Sequence, residues 1–151
     1  MAGKEVMVYS KSGLHLTEGF EGCKLVPYQD SAGVWTNGYG NTHNVDPHEA
    51  ISQEQAEADL QSNVQWAALI VNARVTVELT QEEFDALVDF VFNVGSGNFE
   101  SSTLLKLLNQ GNFAAAAEEF HKWDKAGGVG VAGLLRRRLA EADEFTQGET
   151  T

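Results

Sequence analysis

The sequence predicts an α+β fold, with a small β-containing region ahead of a helical remainder, and three observations carry that prediction. Residues 24–45 hold short β-prone runs with Tyr28, Val34, Trp35 and Tyr39, cut by Gly33, Gly38 and Gly40. That is the pattern of a small hairpin or meander with tight turns. Ser52-Gln53-Glu54-Gln55 reads as a capping box, and Ala56, Leu60, Val64, Ala67, Ala68 and Val71 then recur at helical spacing. From Thr80 onward, helix-start signals and three-to-four periodicity repeat almost to the end.

Taken in order, residues 1–11 offer a short mixed segment, a strand or a packed arm. Ser12 stands as the N-cap of a helix through Leu14, Thr17, Glu18 and Glu21 that ends near Gly22. The helix opened by Ser52 lacks Gly and Pro for some twenty residues and would span ~30 Å. Thr80-Gln81-Glu82-Glu83 is a second capping box, placing Phe84, Leu87, Val88 and Val91 on one helix face. Residues 93–98 read as a loop, and Ser101 or Ser102 caps a short leucine-rich helix. Gly111-Asn112 breaks and recaps the chain before an amphipathic run of Phe113, Ala116, Ala117, Phe120 and Trp123. Residues 126–133 read as a glycine-rich loop, the last helix carries Leu134, Leu135, Leu139 and Ala142, and the tail from Gln147 is expected to fray.

At 151 residues the chain is long enough for one domain with a sizeable core, and its 42% hydrophobic content is ordinary for a globular protein. No run approaches the length of a transmembrane helix, and the N-terminus lacks the apolar core of a signal peptide. A net charge of −12 argues against nucleic acid as a partner. Within residues 101–140, six Lys and Arg stand against three acids, so that stretch is +3 and the remainder −15. Arg136, Arg137 and Arg138 there read either as a patch for an anionic polymer or as a solvated helix face. The lone Cys23 excludes an intramolecular disulfide and reads as a small buried hydrophobe. His15, His43, His48 and His121 have no metal-ligand spacing, so neither a metal nor another cofactor is expected. Gly128-Val129-Gly130-Val131-Ala132-Gly133 matches the dinucleotide fingerprint formally, but a helix rather than a strand precedes it and the chain is nearly finished. No nucleophile elbow is present either.

The chemistry concentrates in residues 21–42. Glu21 and Asp30 are nine residues apart, and the Thr36 hydroxyl follows six further on. A helix end facing a small sheet makes a cleft wall, and two acids across a cleft suit glycosidic cleavage. One must hold a proton for the leaving oxygen, which partial burial of Glu21 against Phe20 and Leu25 would favour. The other, Asp30, would share with Thr36 the holding of a water. Taken singly, each has a plainer role, as a surface helix residue, a turn residue and a strand residue. Glu18 also precedes a glycine, but position 27 is proline, so no aspartate lies nine residues after it.

Glu21-Gly22, Tyr28-Gln29-Asp30-Ser31-Ala32-Gly33 and Thr36-Asn37-Gly38-Tyr39-Gly40 together resemble the phage-type lysozymes, the endolysins of glycoside hydrolase family 24. Phe92-Asn93-Val94-Gly95, Ser101-Ser102-Thr103-Leu104-Leu105 and Gly133-Leu134-Leu135-Arg136-Arg137-Arg138 with Glu141 extend the resemblance over roughly 12–145. Two departures stand out: Asn41 occupies the place of the family's histidine, and Asn37 a usually apolar position. The resemblance implies a single lysozyme-like domain over 1–151, with an N-terminal lobe at about 12–55, a connecting helix at about 52–74 and a helical lobe at about 76–147. It implies a muramidase that cleaves the β-1,4 bond between N-acetylmuramic acid and N-acetylglucosamine for host lysis. Glu21 is then the acid, with Asp30 and Thr36 positioning water. Among candidate glycan contacts, Asn93 comes from the resemblance alone, and Arg137 is either a ligand or a structural ion-pair partner. Trp35 and Tyr39 could stack on sugars, with at least one of them in the core. Bacterial peptidoglycan is the expected partner, without nucleic acid or stable membrane association. The chain is expected to be monomeric and to stay in the host cytoplasm until released. The alternative is a module that grips cell-wall glycan without cutting it.

Overall fold

A computed structural model describes residues 5–126 and 128–147, and the expected α+β architecture is what it contains. The elements run α1 (Lys11–Glu21), β1 (Lys24–Gln29), β2 (Trp35–Gly38), α2 (Gln53–Asn63), α3 (Gln65–Arg74) and α4 (Gln81–Val94). There follow α5 (Ser96–Glu100), α6 (Thr103–Asn109), α7 (Phe113–Glu119), a 3₁₀ turn at Phe120–Lys122, β3 (Lys125–Ala126), β4 (Val129–Gly130) and α8 (Ala132–Gln147). The chain divides into two compact units, one of Leu14–Gln65 and one formed by the segment up to Gly13 together with Trp66 onward.

In the unit of residues 14–65, β1 and β2 pair antiparallel, with Tyr28 opposite Thr36 and Gln29 opposite Trp35. The register slips between Lys24 and Tyr28. Pro27 lies in that interval and has no N–H for the ladder, which accounts for the irregularity. Helix α2 packs on β2, and the buried apolar side chains on it are Ala56 and Leu60, with Val64 just beyond. The other buried residues are largely polar: Thr17, Thr36, Asn37, Tyr39 and Asn41.

The second unit is built around α4, in which every residue from Glu83 to Val91 is buried. The expected single apolar face is therefore too narrow a reading, and α8 provides much of the cover. Phe90 meets the rings of Phe99, Phe120 and Trp123 edge-on at 6.3, 5.4 and 5.9 Å, and Phe120 lies 5.5 Å from Phe145. Edge-to-face aromatic pairs of this kind add to the stabilisation from buried area. The N-terminal stretch from Glu5 to Ser10 is a packed arm rather than a strand. Met7 N–H donates to Asn72 Oδ1 at 2.9 Å, and Asn72 Nδ2 donates to the Met7 carbonyl at 3.0 Å.

Several sequence expectations need correcting. Helix α1 is capped by Ser10, whose Oγ accepts from Gly13 N–H at 3.1 Å, not by Ser12. Ser10 also hydrogen-bonds Asp85 through both its N–H and its hydroxyl, which fixes it in the capping position. The single helix expected over 52–74 is two, interrupted at Val64, where ψ of −8° departs from helical values. Its stripe from Ala56 to Val71 is nevertheless wholly buried. The Ser52 box is half formed: Ser52 Oγ accepts from Gln55 N–H, while the Gln55 amide donates to Asp59 instead. The Thr80 box is complete, with reciprocal bonds to Glu83 of 3.1 and 2.8 Å. The loop expected at 93–98 shrinks to Gly95, between α4 and α5. Ser102 and Asn112 cap α6 and α7 as their positions indicate. The glycine-rich loop at 126–133 is replaced by the β3–β4 hairpin and the start of α8, with Gly127 outside the described residues. The tail expected to fray lies outside them too, except for Gln147, the last residue of α8.

The largest correction concerns α8. Leu139 is 53% exposed, while Arg137, Arg138 and Glu141 face inward. The Arg137 guanidinium binds Asp89 in a fork, Nε to Oδ2 at 2.9 Å and Nη2 to Oδ1 at 2.8 Å. Arg138 Nη2 donates to Glu141 Oε2 at 2.8 Å. Its Nε lies 2.6 Å from Oε1, an ion pair without an aligned hydrogen bond, and its buried Nη1 has no hydrogen-bond partner among the described residues. The guanidinium lies over the Phe90 ring at 5.1 Å. Of the three arginines read either as a patch or as a solvated helix face, only Arg136 is exposed, because the fork-shaped guanidinium groups of Arg137 and Arg138, with buried carboxylates opposite them, face the core.

Candidate active site

The candidate catalytic residues all belong to the unit of residues 14–65, and local chain geometry positions each of them. Glu21 is the last residue of α1 and is half-buried. Gly22, at φ +68°, turns the chain out of the helix and into β1. The Glu21 carboxyl lies against the turn after β2, since a Cβ added at Gly40 would lie 3.7 Å from its Oε1. Gly40 itself has φ +74°, a conformation that residues with a Cβ rarely adopt.

Asp30 is exposed at the tip of the β1–β2 hairpin. Its Oδ1 accepts from the N–H groups of Ala32 and Val34 at 2.8 and 2.9 Å, while its backbone N–H donates to the Val34 carbonyl. This is an Asx-turn, and it commits one carboxylate oxygen to shaping the loop. The second oxygen, Oδ2, has no protein partner among the described residues.

Thr36 sits on β2, 4% exposed, and its hydroxyl donates to the Val34 carbonyl at 3.0 Å. With its proton so used, the hydroxyl can only accept from a further partner. Asp30 and Thr36 are therefore tied to one segment: the Asp30 carboxylate takes the Val34 N–H and the Thr36 hydroxyl binds the Val34 carbonyl.

The remaining candidates fare differently. Tyr39 is 8% exposed, with its hydroxyl accepting from Gln53 Nε2 at 2.8 Å, so it packs in the core, while Trp35 is the more open of the two aromatics. Burial, more than the neighbouring charges, raises the Tyr39 pKa. Asn93, near the end of α4, is exposed in the other unit. Arg137 in that unit is the ion-paired group described above. Cys23 is exposed rather than buried, its thiol 3.8 Å from Gln53 Oε1. An open groove of about 330 Å³ lined by Glu118, His121, Leu139 and Asp143 contains none of the candidate residues. Among the described residues, no helix is long and apolar enough to cross a membrane, and no cluster of three or more His, Cys, Asp or Glu could hold a metal ion.

Sequence reading did not foresee the buried amide cluster beneath the site. Asn41 Nδ2 donates to Asn37 Oδ1 at 3.0 Å and to the His43 carbonyl at 2.9 Å. Its Oδ1 accepts from His43 N–H at 3.3 Å and from Asn63 Nδ2 of α2 at 3.1 Å. The only sequence signal was that Asn37 and Asn41 both depart from the family pattern.

A family model described as phage lysozyme matches residues 18–141. The endolysin of Acyrthosiphon pisum secondary endosymbiont phage 1 is 45% identical over 92% of this chain and 98% of its own length. The endolysin of Bacillus phage B103 is 43% identical over 95% of this chain, which spans 56% of that longer protein. Among solved structures, the endolysin from Escherichia coli O157:H7 phage FAHEc1 superposes with a TM-score of 0.87 at 37% identity, covering 96% of this chain and 97% of that one. The muramidase domain of SpmX from Asticaccaulis excentricus superposes at 0.84 with 33% identity, covering 94% and 97%.

Proposed function

The chain belongs to the phage lysozyme family, glycosidases that act on bacterial peptidoglycan, and from that premise we propose that it hydrolyses the β-1,4 bond between N-acetylmuramic acid and N-acetylglucosamine. Glu21 protonates the leaving oxygen, and Asp30 with Thr36 holds the attacking water. The observation that carries this reading is the way the hairpin prepares its groups. Asp30 spends Oδ1 on the turn and keeps Oδ2 open, and Thr36 spends its proton on Val34 and keeps its lone pairs. An open carboxylate oxygen and an accepting hydroxyl tied to one residue suit the orienting of a water. That favours single displacement, in which the first product from a β-linked glycan is the α-anomer.

Glu21→Gln is nearly isosteric and removes only the acidic proton, so the fold should persist while turnover falls by about 10²- to 10⁴-fold. A variant retaining more than a tenth of wild-type turnover would move the acid elsewhere, with Glu18 the next candidate. Mass spectrometry of digested peptidoglycan separates the chemistries: reducing ends follow from hydrolysis and anhydro ends from transglycosylation. NMR detection of the β-anomer as first product would remove the water-holding role from Thr36. Residence in the host cytoplasm until release, as a monomer, belongs to the same reading; fractionation and sedimentation test it.

A further inference from the structure

The Gly38–Gly40 turn is held from several sides by side chains that never reach the hairpin tip. On one side, the backbones of Asn37 and Asn41 exchange hydrogen bonds of 3.0 and 2.8 Å and close the three residues between them into a tight loop. The side chains of the same two residues hydrogen-bond each other, and Asn63 ties Asn41 to α2. On another side, Gln53 of α2 holds the Tyr39 hydroxyl, and Gly38 lies so close to Ala56 that a Cβ there would meet the Ala56 Cβ at 3.3 Å. The loop so held presents Gly40 to the Glu21 carboxyl.

We infer that Asn41, with Asn37 and Asn63, is a positioning residue for the acid. The amide cluster sets where Gly40 stands, and Gly40 sets one wall of the space the Glu21 carboxyl occupies. This inference rests on Glu21 being the proton donor. Each Asn41 side-chain polar atom has two partners, one from the chain next to it and one from another position, so the side chain has a single satisfied orientation. A buried group with that much constraint transmits position, whereas an apolar residue of similar size would leave the loop without its side-chain tie to α2 through Asn63. A displacement of the acid by about an ångström is enough to cost on the order of 10²-fold in rate.

The test measures kcat and KM on soluble peptidoglycan chains for Asn41→Ala and Asn63→Ala, at a temperature where circular dichroism shows both folded. Asn41→Ala should lower kcat about tenfold or more with KM within about twofold, the split expected when chemistry loses its geometry and binding does not. Asn63→Ala removes one hydrogen bond and leaves the Asn37–Asn41 bridge. It should give a smaller loss of the same kind, and it carries the test if Asn41→Ala does not fold. In a Glu21→Gln background, Asn41→Ala should lower the residual rate no further. An equal loss in that background, a rise in KM at constant kcat, or wild-type kcat in the folded variants would overturn the positioning role. If Glu21→Gln is inactive while folded Asn41→Ala keeps its kcat, the acid assignment stands and this inference alone fails. A Glu21→Gln variant that keeps more than a tenth of its turnover removes both.

Discussion

The two units bury different kinds of residue. The unit of residues 14–65 encloses few large apolar groups and closes around Thr17, Thr36, Asn37, Tyr39 and Asn41. The other encloses Phe84, Phe90, Phe99, Phe120 and Phe145, and within that apolar volume the ionisable side chains of Asp89, Arg137, Arg138 and Glu141. Apolar area stabilises without direction, roughly in proportion to what leaves the water. Amide hydrogen bonds contribute less net energy each, but they are costly when one partner is missing, and so they select a single geometry. The larger unit is thus built for stability, and the smaller one for the placement of a few atoms.

That contrast can be broken most forcefully at Glu141. Glu141→Ala leaves the Arg138 guanidinium buried without its carboxylate, a change typically costing about 3–5 kcal/mol. Hydrogen exchange should show the loss in α4 and α8 and spare the amides of β1 and β2. Equal loss of protection in both units would mean that they do not differ as described.

Next comes pH. Burial, then hydrogen bonding to Asp89 and its charge, holds the Glu141 pKa well above the usual carboxylate value, against the opposing pull of Arg138. Burial raises Asp85 and Glu144 as well. For a carboxyl raised in the folded state, the unfolded chain releases its proton first, at about pH 4. From there up to the raised value the folded chain binds more protons, so stability falls as pH rises. These three groups therefore contribute fully below about pH 4 and progressively less above it. Melting temperatures recorded from pH 4.5 upward should show that decline for the larger unit, and Glu141→Gln should flatten it. A steady climb over the same range would contradict the burial argument.

The smallest expected effect compares two helix starts. Thr80→Ala removes the side-chain bond to Glu83 N–H at the start of α4 and leaves the backbone bond from residue 80 to the Glu83 carboxylate; on a helix buried from Glu83 to Val91 it should cost about 1–2 kcal/mol. Ser52→Ala at α2 likewise loses one side-chain bond, on a helix that buries only Ala56 and Leu60, and should cost about half as much or less. Chemical denaturation of the two variants measures the difference, and a larger loss at Ser52 would reverse the proposed ranking of the units.

What could be read from the sequence follows the range of the interactions involved. Ser52, Thr80, Ser102 and Asn112 were readable as caps because a capping side chain bonds N–H groups within three residues of itself. The same rule misled at Ser12, because Asp85, far along the chain, decides that Ser10 is the cap. The inward turn of Arg137 was hidden for a similar reason, since its partner Asp89 lies 48 residues away. Within the candidate site, the Glu21, Asp30 and Thr36 pattern stood out through its spacing and its glycines. In the sequence, Asn37 and Asn41 stand as two separate departures. In the folded chain they touch, so the two departures from the family pattern amount to one exchange, in which each amide makes the other tolerable.

Cys23 has a practical consequence. It is the chain's single cysteine, it is exposed, and it stands two residues after Glu21, where the helix gives way to the first strand. A thiol-reactive fluorophore or spin label will therefore attach at one position in the unaltered protein. Its emission or line shape would report on the surroundings of the proposed acid as glycan arrives, with no reporter residue engineered into the chain.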